Sequence, residues 1–281
     1  IFSLIKLMDV FSNLMVIGEC LLDKKRTDAF RKAILKAVKK GDVVLDVGTG
    51  SGILAMFAAQ AGAKKVYAVE IAPDVAGFAQ GNFDANRFKS KMRLINKNIV
   101  DLKLRFKPNV ITMELLDTGL VAEDQSIAVN YLHENGMIVE DTKLIPYKYD
   151  CALQFVNYDF NFYGIKMPFV IQSRNFGVKT RIVEKLSDRI VYETIDFRKH
   201  VNMYIKKTLT VQIKKSGEIN ALVLYAKTYL TPGVTLWGTT DMNMPVVVPL
   251  KKKNVKKNQM VTVIIDYFMS KGFSNFRAEV K

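Results

Sequence analysis

The segment Val43-Val44-Leu45-Asp46-Val47-Gly48-Thr49-Gly50-Ser51-Gly52 constrains this chain more than any other. Its first half reads as a short buried strand, and the glycines that follow force a tight turn. Only glycine permits both the backbone angles of such a turn and the close approach of a ligand to the main chain. Ile53 to Ala61 continues as an apolar helix, whose first N–H groups face that ligand. Gly62 ends the helix, and Val66-Tyr67-Ala68-Val69-Glu70 reads as the next strand. Glu70 lies 20 residues after Gly50, at the strand's end, where a carboxylate accepts hydrogen bonds from both ribose hydroxyls. A nucleoside-bearing ligand on Gly48, Gly50, Gly52 and Glu70 is the first expectation.

The surrounding texture agrees. Phe30, Ala33, Ile34, Ala37 and Val38 recur at helical spacing within 27–39, and Gly41-Asp42 stops that helix. Residues 74–88 read as a helix, Leu94-Ile95 and Val110–Met113 as strands. Strands alternating with helices predict a parallel sheet covered on both faces. After about Pro146 alternation of period two takes over: Ala152 to Phe155, Leu209 to Ile213, Leu222 to Tyr229, Val246 to Leu250 and Val261 to Tyr267. Ser216-Gly217 and Pro232-Gly233 supply turns, and an antiparallel barrel or sandwich is expected. Lys251-Lys252-Lys253 with Lys256-Lys257 reads as a solvated loop between strands. The expected units are a helical segment 1–40, a ligand-binding domain 41–145 and a β-rich domain 146–281.

Composition narrows the function. The 281 residues are 49% hydrophobic, enough for a packed core, and the sole cysteines are Cys20 and Cys151. That excludes a disulfide framework and fits a reducing, cytoplasmic compartment. With His133 and His200 far apart, no metal centre is expected. Forty-two basic against 27 acidic residues give a net charge of +15, which makes nucleic acid a candidate partner beside a solvated lysine-rich surface. Ile1-Phe2-Ser3-Leu4-Ile5 is apolar, but Lys6 and Asp9 interrupt it; it reads as an amphipathic helix, and no membrane segment is expected.

Nicotinamide dinucleotides use a similar glycine turn and distal acid, so the motif leaves two cofactors open. The spacing is G-T-G-S-G rather than G-x-G-x-x-G, and Asp46 sits just before the glycines. A carboxylate there repels a pyrophosphate and attracts an amino-acid ammonium, which favours S-adenosylmethionine. The segment D-V-G-T-G-S-G-I-L with A-V-E beyond it resembles the class I S-adenosylmethionine-dependent methyltransferases, and within them the protein arginine methyltransferases. The resemblance implies a Rossmann-like α/β domain followed by an antiparallel β-barrel-like domain. Residues 20–34 resemble the helix before that family's cofactor motif, which implies that Arg26 grips the cofactor carboxylate. It also implies cofactor contacts from Ile71 and, at the adenine edge, from Ile99, Val100 and Asp101, with Val100 standing where the family often has an acid.

In Thr112 to Asp124, a strand ends at Glu114 and Glu123 follows nine residues later. Carboxylates brought together repel unless a cation lies between them, and a guanidinium, planar and permanently charged, meets that demand. Two unrelated surface acids are the plain alternative. The family carries a glutamate pair at this spacing, so the resemblance assigns Glu114 and Glu123 to the substrate arginine, as catalytic residues acting on a protein. It also implies a homodimer, with Tyr158 to Phe169 as a candidate short dimerisation arm; ordinary core packing explains those rings as well.

The family's Thr-His-Trp loop, whose His pairs with an acid matched here by Asp23, is altered. Either Thr235-Leu236-Trp237 or Asp241-Met242-Asn243 takes its place, and the His is missing in both. Thr118 and Ala122 stand where the family prefers tyrosines, and Phe11 alone hints at its cofactor-closing aromatics. RNA or DNA methylation remains the rival, without the Asn/Asp-Pro-Pro signature after Met113; a cofactor-binding protein without catalysis is the third reading.

Overall fold

The computed structural model describes residues 13–104, 106–172 and 177–281. The expected helix at residues 1–5 and Phe11 lie outside the described residues. Helix α1 (Leu14–Leu22) is capped by the Asn13 side chain, which accepts from Met15 N at 2.8 Å. Asp23 ends it and caps α2 (Lys24–Ala37), accepting from Arg26 N at 3.0 Å. Strand β1 (Val43–Val47), α3 (Ile53–Ala61), β2 (Lys65–Glu70), α4 (Pro73–Asp84), β3 (Met92–Asn96), β4 (Val110–Met113), α5 (Gln125–Glu134) and β5 (Lys143–Ile145) follow. All five strands are parallel, in the order β3-β2-β1-β4-β5.

In β1, Val44 to Val47 are all buried, because helices cover the sheet. Gly48 and Gly52 adopt φ of 69° and 82°, and a side chain at either would overlap Leu115 or Phe83. These two glycines let the chain turn from β1 into α3 with the helix start exposed to a ligand.

The second half is antiparallel. Strands β6 (Lys148–Tyr158), β7 (Asn161–Phe162), β8 (Ile165–Lys166), β9 (Ile171–Gln172), β10 (Ile182–Lys185), β11 (Ile190–Asp196), β12 (Tyr204–Gln212), β13 (Gly217–Thr231), β14 (Val234–Trp237), β15 (Val246–Val255), β16 (Met260–Phe268) and β17 (Arg277–Val280) build it. One sheet runs β10-β6-β13-β15-β9, with β11 also on β6 and β14 also on β13. A second, β12-β16-β17, packs beside it and closes a barrel-like unit. A continuous core joins the two halves, from Phe30 and Leu45 to Tyr149, Phe197 and Tyr267. Among the described residues no helix is long and apolar enough to cross a membrane.

The expectation for Lys251-Lys252-Lys253 needs correction, because these residues lie within β15. Their ladder to β13 pairs Ile219 with Lys253, and Lys252 Nζ reaches Glu218 at 2.6 Å. Ladder bonds and cross-strand charge override the loop-like composition. Only Lys256 and Lys257, before β16, lie in a loop and turn.

Candidate active site

The carboxyl ends of β1, β2 and β4 meet α1 around a cavity of about 600 Å³. Its lining includes Gly48, Gly50, Glu70, Ile71, Ile99, Val100, Arg26, Glu114 and Glu123, residues singled out in the sequence. The remaining three sit elsewhere. Gly52 caps α3 behind the turn, and Asp101 is exposed on the short 3-10 turn Ile99–Asp101.

Asp46 is the third. It is 1% exposed and forms no part of the cavity lining. Thr49 Oγ1 donates to its carboxylate at 2.6 Å, and the Thr112 hydroxyl of the neighbouring strand donates to the other oxygen. Burial pushes its pKa up to about 6, against the lowering effect of those hydroxyls. Asp46 therefore ties the glycine turn to β4 from beneath.

The residues of the turn suit a nucleoside. Glu70 Oε2 accepts from Gly50 N at 2.9 Å and Oε1 from Ala72 N at 3.0 Å, so both oxygens are oriented and each keeps a lone pair for a hydroxyl. Asn96 Nδ2 donates to the carbonyls of Glu70 and Ile71, at 2.8 and 3.1 Å, and fixes the end of β2. Ile71, Ile99 and Val100 give an apolar side to the same space, as a base requires.

Arg26 is 6% exposed. Its Nε donates to Glu114 Oε2 at 3.0 Å, Nη2 reaches the same oxygen, and Nη1 donates to Cys20 O at 3.3 Å. Among the described residues these contacts use three of the five N–H donors a guanidinium carries. Burial opposes its charge, but Glu114, with Cys20 and Asp23, offsets that and the pKa is raised. Cys20 lines the cavity too; burial pushes its thiol up to about 12, so it is neutral and no nucleophile.

Glu114 follows the end of β4, and Glu123 lies at the far end of the loop 114–123. Both reach the cavity. Sequence reasoning missed what shapes that loop. Asp117 is 5% exposed, and its carboxylate accepts from Val121 N, Ala122 N and Glu123 N at 3.1, 3.0 and 3.1 Å. An acid between two glutamates, next to Gly119, was the only sequence signal available.

The fold also settles which loop stands where the His was missing. Asp241 N donates to Asp23 Oδ2 at 3.0 Å, so Asp241-Met242-Asn243 faces the early helix and Thr235-Leu236-Trp237 runs through β14. A main-chain N–H provides the contact to Asp23, and Met242 is packed into the core.

Comparison with known proteins agrees with this geometry. Residues 26–139 match the family model described as ribosomal protein L11 methyltransferase (PrmA), which covers the parallel-sheet half. The uncharacterized protein MJ1452 of Methanocaldococcus jannaschii is 34% identical over 233 residues, 83% of this chain and 85% of that one. The chain belongs to the arginine-methyltransferase-like family of class I S-adenosylmethionine-dependent methyltransferases. S-adenosylmethionine is its cofactor. A probable protein arginine N-methyltransferase 6 of Arabidopsis thaliana is 28% identical over 83% of this methyltransferase, which spans 55% of that relative's length. The fold matches a Trypanosoma brucei PRMT1 enzyme–prozyme heterotetramer with AdoHcy at a TM-score of 0.77 and 20% identity, covering 97% of this chain and 98% of that one.

A buried carboxyl with a raised pKa makes stability depend on pH. The folded protein holds the Asp46 proton at pH values where the unfolded chain, with an ordinary carboxyl near 3.8, has released it. Stability from this group is full below the unfolded value and lost as pH rises through about 6. Asp46→Asn is expected to flatten the fall in melting temperature of the cofactor-free methyltransferase across that range. An equal fall in both proteins contradicts this account of Asp46.

Proposed function

We propose that this methyltransferase acts on a guanidinium nitrogen of arginine in a protein substrate. The observation that carries the reading is the shared cavity of Glu114 and Glu123 beside the glycine turn, with Arg26 paired to Glu114. The protein arginine N-methyltransferase relatives support the same substrate class. On this reading residues 41–145 bind the cofactor, α1 and α2 pack on that domain and residues 146–281 support the acceptor.

Arg26, Gly48, Gly50, Glu70, Ile71, Ile99 and Val100 would hold S-adenosylmethionine, which supplies an electrophilic methyl on a sulfonium. Gly52 would keep the α3 N-terminus open to it, Asp46 would brace the turn, and Asp101 would flank the adenine edge from outside. Glu114 and Glu123 would hold the acceptor guanidinium in its plane. Two carboxylates hold positive charge at the nitrogens they face, which leaves the lone pair of the remaining nitrogen available for attack. Alignment of the two reactants contributes on the order of 7–11 kcal/mol to such a transfer. As the nitrogen–methyl bond forms, the sulfur–methyl bond would break and S-adenosylhomocysteine would leave; the methylated nitrogen sheds one proton, for which the adjacent carboxylates are the acceptors.

We further propose that the β7–β8 hairpin serves a second copy of this chain. Tyr163 and Gly164 take positive φ at its tip, and Tyr163, Ile165, Met167 and Phe169 are exposed apolar residues along it. Single apolar residues on a surface are ordinary, but four within residues 163–169 suit a contact. The Tyr163→Ser, Phe169→Ser double variant is expected to lower the mass seen by light scattering from two chains to one; an unchanged mass contradicts the arm.

Labelled cofactor in cell extract is expected to mark a product that survives nuclease and disappears with protease. A nuclease-sensitive product would favour nucleic acid, the reading suggested by the net charge of +15. Glu114→Gln is expected to abolish transfer with cofactor affinity reduced far less; full activity in that variant ends the clamp reading.

A further inference from the structure

We propose that Asp117 is a positioning residue for the acceptor: its carboxylate gathers the main-chain N–H groups of Val121, Ala122 and Glu123 and so aims Glu123. The proposal rests on the arginine reading above and names what makes its second carboxylate effective.

The loop 114–123 does not hold itself. Gly119 and Leu120 take φ of 85° and 55°, and Leu120 N donates to Asp117 O at 3.0 Å in a turn of its own. Left-handed residues in succession need outside restraint. On one edge, the N–H groups of Val121, Ala122 and Glu123 converge on the Asp117 carboxylate. On the other edge the carbonyls are taken by the barrel. Tyr267 OH donates to Gly119 O at 2.7 Å, Ser270 N to Leu120 O at 3.1 Å, and Ser270 Oγ to Glu123 O at 2.7 Å. Lys271 N and Gly272 N donate to Val121 O at 2.9 and 2.8 Å. Glu123 is thus bolted through its own N–H and its own carbonyl, with both bonds close to the side chain that must meet the acceptor.

Glu114 is set by a different device, the Arg26 guanidinium. The acceptor site is therefore assembled by one cation and one anion, each holding one glutamate. An isolated buried carboxylate is costly, and apolar residues in such places serve stability as well or better. Three convergent N–H donors are what make a carboxylate the suitable side chain here.

Titration offers a readout that packing alone does not move. Burial pushes the Asp117 carboxyl up to about 7, against the three N–H groups that lower it. The other titratable groups beside it are Tyr149 and Cys151 on β6, Tyr192 on β11, Tyr267 on β16 and Glu123 on its own loop. Burial raises the tyrosines and the thiol, so they stay protonated as Asp117 titrates.

The test is Asp117→Asn, assayed with an arginine-containing peptide and S-adenosylmethionine. An asparagine of the same size turns an N–H group against at least one of the three donors. The expected result is cofactor affinity within about twofold of wild type and acceptor kcat/KM lower by about 100-fold, as for a displacement near 1 Å. The loss should lie more in acceptor KM than in cofactor KM. Unchanged acceptor kcat/KM in an active wild-type background overturns Asp117 alone; a wild type that leaves arginine peptides untouched overturns the acceptor reading and this proposal with it. If the variant fails to bind cofactor, wild type carries the test through hydrogen exchange. Protection of the Val121, Ala122 and Glu123 amides should fall with acceptor kcat/KM as pH drops through about 7, while β1 amides stay protected. Protection unchanged across that range overturns the proposal.

Discussion

The ion pair between Arg26 and Glu114 joins α2 to the end of β4, two segments 88 residues apart in sequence. Side chains only 7% and 11% exposed bring these charges together, so neither is hydrated as it would be in water. Losing one partner of such a pair costs roughly 3–5 kcal/mol, because the other is left charged and buried. The pair therefore fixes where α2 sits over the glycine turn, and with it the positions of Cys20 and Asp23. Asp23 in turn receives the N–H of Asp241, so the β-rich half is tied to the same corner. The Arg26–Glu114 pair thus joins the N-terminal helices to the start of the acceptor loop beside the cofactor turn.

Charge is distributed unevenly around that corner. The chain as a whole carries +15, yet Glu70, Asp74, Glu114, Glu123, Asp124 and Asp241 line the cavity beside Arg26 and Lys97. A cleft of that sign inside a basic protein favours a cationic acceptor and disfavours a phosphate backbone. Exposed lysines lie on the outside of the β-rich half, Lys206 on β12, Lys252 on β15, and Lys214 and Lys215 in the bend between β12 and β13, where each of the four pairs with an acid.

The parallel half was largely legible in the sequence because its central strands β1, β2 and β4 are largely buried and therefore read as apolar runs. Glu70 and the glycine turn could be placed from spacing alone. Helix α5 escaped notice because its buried face carries Gln125, Ser126 and Asn130, whose polar character breaks the apolar period. Those residues are buried because they have partners: Gln125 Oε1 accepts from Leu115 N, and Asn130 exchanges two hydrogen bonds with the main chain of Val201. Strand β5 is three residues long, too short for any pattern. The lysines of β15 read as a loop because their ladder partner lies 34 residues away. The contact of Asp23 with Asp241, 218 residues apart, and the convergence of loop N–H groups on Asp117 arise only in the folded chain.

The central claim is that the cavity presents an arginine guanidinium to the sulfonium methyl between two carboxylates. A crystal structure with S-adenosylhomocysteine and an arginine-containing peptide tests it most directly. The account predicts guanidinium nitrogens within hydrogen-bond distance of both Glu114 and Glu123, with one nitrogen directed at the cofactor sulfur. A peptide arginine bound elsewhere, or a Glu123 carboxylate turned out of the cavity in that complex, would contradict it.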